Sequence, residues 1–388
     1  MRQMITKLFF PAVIVLMLAA GLICTVFFPQ EINEYENRYN AQLPPLTLSG
    51  YMTGEFQDSM EEALADQVPF SQQGKQFYNR TTTAYERLFL QDILQNIPDR
   101  YVHYRDMLIY GSDTFVYTPR VLDDVAADLD ARIDNLNSIF AQFPDTTFYA
   151  YYVENDTDYN FELGRSVDIS AYVIGHLNLD TNHLGSFCIE NFDSFRDHFY
   201  RTDHHWNHNG SYAGYLDLHN LLGITDSPMA PVGSYAMQAP MTGSRCLASG
   251  SELFEEAVTV HEYDWPHLDC YINGEPADDY GAQDPAAHTM PNSSYSTIYG
   301  VDAGELILSS GTSGRGSLLV IGDSYDNAVL KLLATHYDVL YAIDLRYYEA
   351  HMGQAFHLGQ YLDTHATDQV LLIGSGAYYL NTDFNLNP

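Results

Sequence analysis

Leu318-Leu319-Val320-Ile321-Gly322-Asp323-Ser324-Tyr325 decides how the chain is read. Four apolar residues in a row, ending at a glycine and followed by Asp-Ser, predict a buried strand that turns sharply into a helix. The residues after it continue the pattern. Asn327 to His336 reads as a helix, Val339 to Ile343 as a strand, Ala350 to Leu362 as helical and Val370 to Ile373 as another strand. Upstream, Thr118 is a good N-cap with Pro119 at the first helical position. Val121, Val125, Leu129, Ile133, Leu136 and Phe140 then mark one apolar face. That helix is expected to end near Pro144, and Thr146 to Val153 follows as a β-prone run apolar on both faces, which suits a parallel strand. Helices alternating with buried strands define an α/β fold with a parallel sheet.

Around this frame the sequence changes character. Residues 226–316 are rich in glycine, serine and proline with weak periodicity, and read as an insertion of loops and short strands within a catalytic domain spanning 118–388. Residues 30–117 read as a spacer and a helical region, in which Phe56, Met60, Leu64 and Val68 recur every four residues and a second run crosses Tyr78 to Leu94. Tyr104 to Gly111 reads as a strand ending at a glycine turn. At the N-terminus, residues 1–29, Arg2 and Lys7 precede an uncharged stretch from Leu8 to Phe28. At ~1.5 Å per residue that stretch spans a ~30 Å hydrocarbon core. Its positive flank is N-terminal, so the remaining chain is expected outside the cell. An uncleaved single-pass anchor is the reading, a removed signal peptide the alternative.

With 51 acidic against 17 basic residues the formal charge is −34, which makes nucleic acid an unsuitable partner and uncharged sugar hydroxyls a better one. Of the four cysteines, Cys24 falls in the anchor, and Cys246 and Cys270 could pair, leaving Cys188. Three buried thiols are the alternative.

Two motifs carry chemistry. The serine of Gly322-Asp323-Ser324 is expected at the carboxyl edge of the sheet, where a helix N-terminus supplies N–H groups for an oxyanion and glycine permits a tight turn. Alone it could equally be a capping turn. The second motif is Thr202-Asp203-His204-His205-Trp206-Asn207-His208-Asn209-Gly210. An Asp two residues before a His can fix the imidazole tautomer, and that His can then deprotonate a serine. Asn209-Gly210 opens a helix with Ala213, Leu216 and His219 on one face. Asp203, His204, His205 and His208 also have donor types that suit zinc, but adjacent histidines diverge on a regular element and no HExxH is present. No metal and no cofactor are therefore expected.

Asp203-His204-His205-Trp206 followed far downstream by Gly322-Asp323-Ser324-Tyr325 resembles the DHHW protein family, which is similar to alginate O-acetyltransferases with SGNH-hydrolase-like domains. Asp66-Gln67-Val68-Pro69-Phe70 and Ala342-Ile343-Asp344-Leu345-Arg346-Tyr347-Tyr348 extend the likeness. The resemblance implies a flavodoxin-like parallel sheet flanked by helices. It also implies a circularly permuted order, with the Asp/His pair before the serine. It assigns Asp203, His205 and Ser324 as a catalytic triad, with His204 between the first two. Gly322, Tyr325, Trp206 and His204 are expected to line the oxyanion or substrate site. The Ser324 N–H with Gly374 or Ser375 would form the oxyanion hole. Arg346 is a further candidate, with a buried ion pair as its alternative role. The implied activity is acyl transfer to a cell-surface or secreted polysaccharide, with a membrane-bound O-acyltransferase as the implied source of acetyl groups. An esterase and a non-catalytic polysaccharide-binding or assembly factor are the alternatives.

Overall fold

Every residue from Ser317 to Gly322 is buried, as a strand covered on both faces must be. In the computed structural model, residues 113–249, 254–281 and 294–388 are described throughout, together with parts of 15–82 and 101–110. The chain divides into two compact units, residues 1–93 with 250–253, and residues 94–249 with 254–388. The larger unit holds an eight-stranded sheet: β1 (Thr147–Val153), β2 (Leu184–Phe187), β3 (Asp269–Ile272), β4 (Glu275–Ala277), β5 (Glu305–Ser309), β6 (Ser317–Gly322), β7 (Val339–Ile343) and β8 (Gln369–Gly374). Their spatial order is β4-β3-β5-β7-β6-β8-β1-β2.

The five strands β7, β6, β8, β1 and β2 are mutually parallel. Counted from β6, they stand in the order second, first, third, fourth, fifth, the flavodoxin-like doubly wound order. The chain starts this cycle at its fourth strand, so the permutation expected from the motifs is present in the sheet itself. In such sheets the site lies where the strand order reverses. Here that point is the boundary between β6 and β8.

Alternation along β1 explains why Thr146 to Val153 is apolar throughout. Phe148, Ala150 and Tyr152 join Ile133 and Leu136 of the helix α1 (Leu122–Gln142) in one core. Tyr149, Tyr151 and Val153 join the opposite core with Leu218 of α2 (His208–Leu221), Ile298 of α3 (Tyr295–Tyr299) and Leu333 of α4 (Asn327–Ala334). Helix α1 begins at Leu122 instead of Pro119. The Arg120 N–H donates to the Thr157 carbonyl at 2.9 Å and its guanidinium reaches Asp158, so tertiary bonds keep residues 118–120 extended. Residues 101–117 are three short antiparallel strands, Tyr101–Tyr104, Met107–Tyr110 and Thr114–Tyr117, where one strand was expected.

The insertion is more integrated than its sequence suggests. Strands β3, β4 and β5 extend the sheet edge, with β5 antiparallel to β7. A separate hairpin pairs Gly233–Ala236 with Thr259–Glu262. At the far end of α2, the Nε2 of His336 meets the Tyr215 hydroxyl at 2.6 Å and its Nδ1 meets Asp226 at 2.9 Å. His219 Nε2 reaches the Asp226 carbonyl at 2.8 Å, which fastens α2 to α4. Cys246 and Cys270 are buried thiols and Cys188 an exposed one, so the expected disulfide is not formed. The two cysteines sit on separate elements, Cys246 beside the Thr202 loop and Cys270 in β3.

In the smaller unit, Leu48–Thr53 and Glu55–Gln67 are helical, matching the four-residue spacing of Phe56, Met60 and Leu64. Asp66 accepts from the Ala41 N–H at 2.9 Å, and the Gln67 amide bonds both Gln30 and Ala41. Among the described residues no helix is long and apolar enough to cross a membrane. Most of the expected anchor, and most of the run from Tyr78 to Leu94, lies outside the described residues.

Asp158, fully buried after β1, yields a test of buried charge. Burial raises its carboxyl to about 6, against opposition from Arg120 and the Asn155 N–H. A folded pKa above the unfolded one means stability that is present below about 3.9 and lost as pH rises through about 6. Unfolding free energy is expected to fall by about 3 kcal/mol from this group between pH 4 and 7.5. Asp158→Asn should flatten that part of a denaturant-measured pH profile, and an unchanged slope would refute the assignment.

Candidate active site

Residues 199 to 206 close a tight loop. Phe199 bridges Trp206, the Tyr200 N–H donates to the His205 carbonyl at 3.1 Å, and the Asn207 N–H donates to the His198 carbonyl at 2.8 Å. Asn207 then caps α2 through its side chain, which accepts from the N–H groups of Asn209 and Gly210. Buried Glu256 fixes the loop from outside, accepting from the Thr202 N–H at 2.8 Å, the Thr202 hydroxyl at 2.6 Å and the Arg201 N–H at 3.0 Å. The loop therefore presents Asp203, His204 and His205 from a rigid base.

Trp206 pins this base. It is fully buried, and a Cβ added to Gly214 would stand 2.4 Å from its ring. It was expected to line the substrate site, but burial keeps it from solvent; its indole N–H donates to the Tyr295 hydroxyl at 3.3 Å. Gly214→Ala is expected to cost about 1–3 kcal/mol through that overlap, measurable by denaturant unfolding.

The serine approaches from β6. Asp323 to Asp326 form a turn closed by the Asp326 N–H on the Asp323 carbonyl at 2.9 Å, and α4 starts at Asn327. Gly322 has an ordinary negative φ, so conformational freedom is not what demands it. Space is the reason: a Cβ there would lie 2.6 Å from the Ile373 carbonyl oxygen of β8. Buried Asp323 ties the turn to β8, accepting from the Ser375 N–H at 3.0 Å and hydroxyl at 2.9 Å, and from the Tyr325 N–H at 3.2 Å.

These two segments, 119 residues apart, meet with Ser324 Oγ 2.7 Å from His205 Nε2. His205 Nδ1 lies 2.6 Å from Asp203 Oδ1, which also accepts from the His205 N–H at 3.0 Å. Asp203 Oδ2 accepts from the Ser244 N–H at 2.7 Å. Burial opposes ionisation of Asp203, but His205, His204 and these hydrogen bonds outweigh it and hold the carboxyl well below the usual range. An ionised carboxylate only accepts, so the proton of neutral His205 sits on Nδ1 and Nε2 accepts from the serine hydroxyl. Ser324 is half-buried.

The neighbouring residues sort differently from expectation. His204 Nδ1 is 2.7 Å from the Ser244 hydroxyl, and burial together with His205 pushes its pKa well below the ordinary value. Tyr325 is buried, its hydroxyl donating to the His204 carbonyl at 2.5 Å, so it braces the loop and cannot line the substrate site. The Ser375 N–H and hydroxyl are taken by Asp323, so Ser375 does not serve as an oxyanion donor in this arrangement. At Gly374 an added Cβ would stand 2.4 Å from Tyr378 Cβ, so space requires the glycine. Arg346 is held by Asp344, at 2.5 Å, and Asp302, at 3.0 Å, so it too is structural. The Ser324 N–H makes no backbone hydrogen bond among the described residues.

Two contributors lie in the insertion and went unnoticed in the sequence. Ser244 holds Asp203, and a Cβ on Gly243 would stand 2.5 Å from Asp203 Cβ, so the chain can pass here only as glycine. Tyr295 stacks on the His205 ring at 3.8 Å and 3°. Asp203, His204 and His205 also gather ligand atoms within 4.8 Å of one another. Both His205 nitrogens, however, are already engaged by Asp203 and Ser324. His208 is not part of that group; it lines a different recess, and its Nδ1 is buried without a hydrogen-bond partner.

Fold and site together define a flavodoxin-like α/β protein with an aligned Ser-His-Asp arrangement at its switch point. By sequence the chain matches no family model and no curated protein. By structure it is similar to PatB1 of Bacillus cereus, at 16% identity and a TM-score of 0.53 over 74% of this chain and 99% of that one. PatB1 with a sulfonyl adduct gives 16% and 0.54 over 75% and 100%. A DHHW family protein from Eubacterium siraeum gives 14% and 0.53 over 74% and 98%. The likeness drawn from two short motifs thus extends to the fold.

Proposed function

We propose that the chain is an extracytoplasmic, serine-dependent O-acetyltransferase acting on hydroxyls of a cell-surface or secreted polysaccharide. The observation that carries this reading is the unbroken series Asp203 Oδ1, His205 Nδ1, His205 Nε2 and Ser324 Oγ, with contacts of 2.6 and 2.7 Å. In the first half-reaction His205 takes the Ser324 proton, Oγ attacks the acetyl carbonyl, and the proton passes to the departing alcohol of the donor. An acetyl-Ser324 ester remains. In the second half-reaction His205 deprotonates an acceptor hydroxyl, which displaces Oγ and returns the proton to Ser324. The Ser324 N–H faces the developing oxyanion. Asp203 steadies the imidazolium without taking its proton. A membrane-bound O-acyltransferase would supply acetyl groups, and the N-terminal apolar stretch would hold the domain at the outer membrane surface.

Mass spectrometry after incubation with an activated acetyl ester tests the reading. An acetyl group on Ser324, absent in His205→Ala, is the expected result; no adduct under any condition would sink it. PatB1 was solved with a sulfonyl adduct, and an activated sulfonyl reagent is a second probe. Partial exposure of Ser324 also lets water reach the acyl group, so a carbohydrate acetylesterase is the second reading. Product ratios with and without a glycan acceptor separate the two.

A further inference from the structure

Between α2, α4 and the segment after the insertion hairpin is a recess in which several buried polar atoms lack partners. It is lined by His208 at the start of α2, His261 of the insertion hairpin, Tyr263 and Trp265 just after it, and Leu332 of α4. Its volume, about 10 Å³, suits one water-sized or hydroxyl-sized group. His208 Nδ1, His261 Nδ1, Trp265 Nε1 and the hydroxyl of Tyr299, which also lines the recess, are all buried without a hydrogen-bond partner. Four such atoms around one recess are unusual, because buried polar groups are nearly always bonded.

Their chemistry selects the missing group. The indole N–H only donates. Burial and the nearby His261 push His208 down to about 4, and burial lowers His261, so both rings are neutral at neutral pH. A neutral ring carries its proton on one nitrogen, so each Nδ1 donates or accepts according to its tautomer. A guest must therefore accept from Trp265 and fit either role at the imidazoles. An ammonium cannot accept and a carboxylate cannot donate, whereas a hydroxyl does both and fits every tautomer. At the rim, the half-exposed rings of Tyr263 and Trp265 lie 4.8 Å apart, and Lys331, paired with Asp279, sits 4.7 Å from the Trp265 ring. Aromatic faces beside a few fixed polar atoms are the usual make-up of a small-molecule subsite. A formal charge of −34 disfavours an anionic sugar.

We propose that this recess is a secondary subsite for an uncharged glycan, one hydroxyl entering between His208, His261 and Trp265 while the sugar ring rests on Tyr263 and Trp265. The inference rests on the glycan-acceptor part of the proposed function. Calorimetry on the full chain with cellohexaose, mannohexaose and chitohexaose tests it, with a galacturonate hexamer as the charged control. At least one neutral sugar is expected to bind and the charged one to fail. Trp265→Phe should weaken binding by about tenfold or more while 4-nitrophenyl acetate hydrolysis stays at the wild-type rate. Tyr263→Leu serves as the second variant if Trp265→Phe lowers the Tm. Absence of binding by all three neutral sugars, or wild-type affinity in both variants, would overturn the subsite and leave a trapped water as the guest. Loss of the acetyl-Ser324 adduct with sugar binding intact would instead overturn the enzyme reading alone.

Discussion

Ser324→Ala is expected to lower turnover of an activated acetyl ester by about four to six orders of magnitude and to leave the fold unchanged. The size follows from the mechanism, because without the nucleophile no acyl ester forms and His205 has no proton to take. Groups acting as a unit lose nearly everything when one is removed, and a small residual rate over water comes from oxyanion contacts and binding. The fold should persist because Ser324 contributes one half-exposed hydroxyl, while Asp323 holds the turn to the end of β8 through two hydrogen bonds from Ser375 and braces the turn itself through one from Tyr325. Burst-phase kinetics with a chromogenic acetate would read the loss, and thermal unfolding would check the fold. A variant that kept a tenth of the wild-type rate would remove Ser324 from the mechanism.

The sequence disclosed those parts of the protein whose physics is local. Thr146 to Val153 declared a strand covered on both faces, and β1 indeed sends alternate residues into two cores. The Asp-x-His spacing was readable because a two-residue separation lets Oδ1 meet both the backbone and the ring of His205 without help from the rest of the fold. What escaped depends on distant contacts. No signal around Gly243-Ser244 announces that its N–H completes the Asp203 carboxylate, and nothing marks Tyr295 as the surface under His205. Strands β3 to β5 are short and end at the sheet edge in β4, and their patterns are weak because the neighbouring strand dictates their pairing. Trp206 is the instructive error. A tryptophan inside a catalytic-looking motif invited a substrate role, yet Gly210 and Gly214 stand one and two helical turns beyond it. Two glycines on one helix face signal close packing: Gly214 leaves room for the indole, and Gly210 for the His198 carbonyl and Trp206 Cβ.

Asp203→Asn should reduce kcat by about 10⁴ while leaving KM and the Tm close to wild type. The Ser244 N–H donates to one carboxylate oxygen, and the His205 N–H with the ring N–H points at the other. An amide can satisfy only one of these two faces. If its oxygen stays with Ser244, its NH₂ meets two donors, and the imidazole must move its proton to Nε2 to accept at Nδ1. Nε2 then carries a hydrogen toward Ser324 and cannot take another. If the amide flips, the NH₂ faces the Ser244 N–H instead, and the insertion segment that clamps Asp203 is pushed away. The first outcome disables the base; the second leaves Nε2 able to accept but removes the negative charge that steadies the imidazolium, and the two differ in the packing they disturb. Ring-nitrogen NMR of His205 distinguishes them, with the tautomer reversed in the first case and unchanged in the second. Rates within tenfold of wild type would mean that the Asp203 carboxylate does not orient the histidine at all.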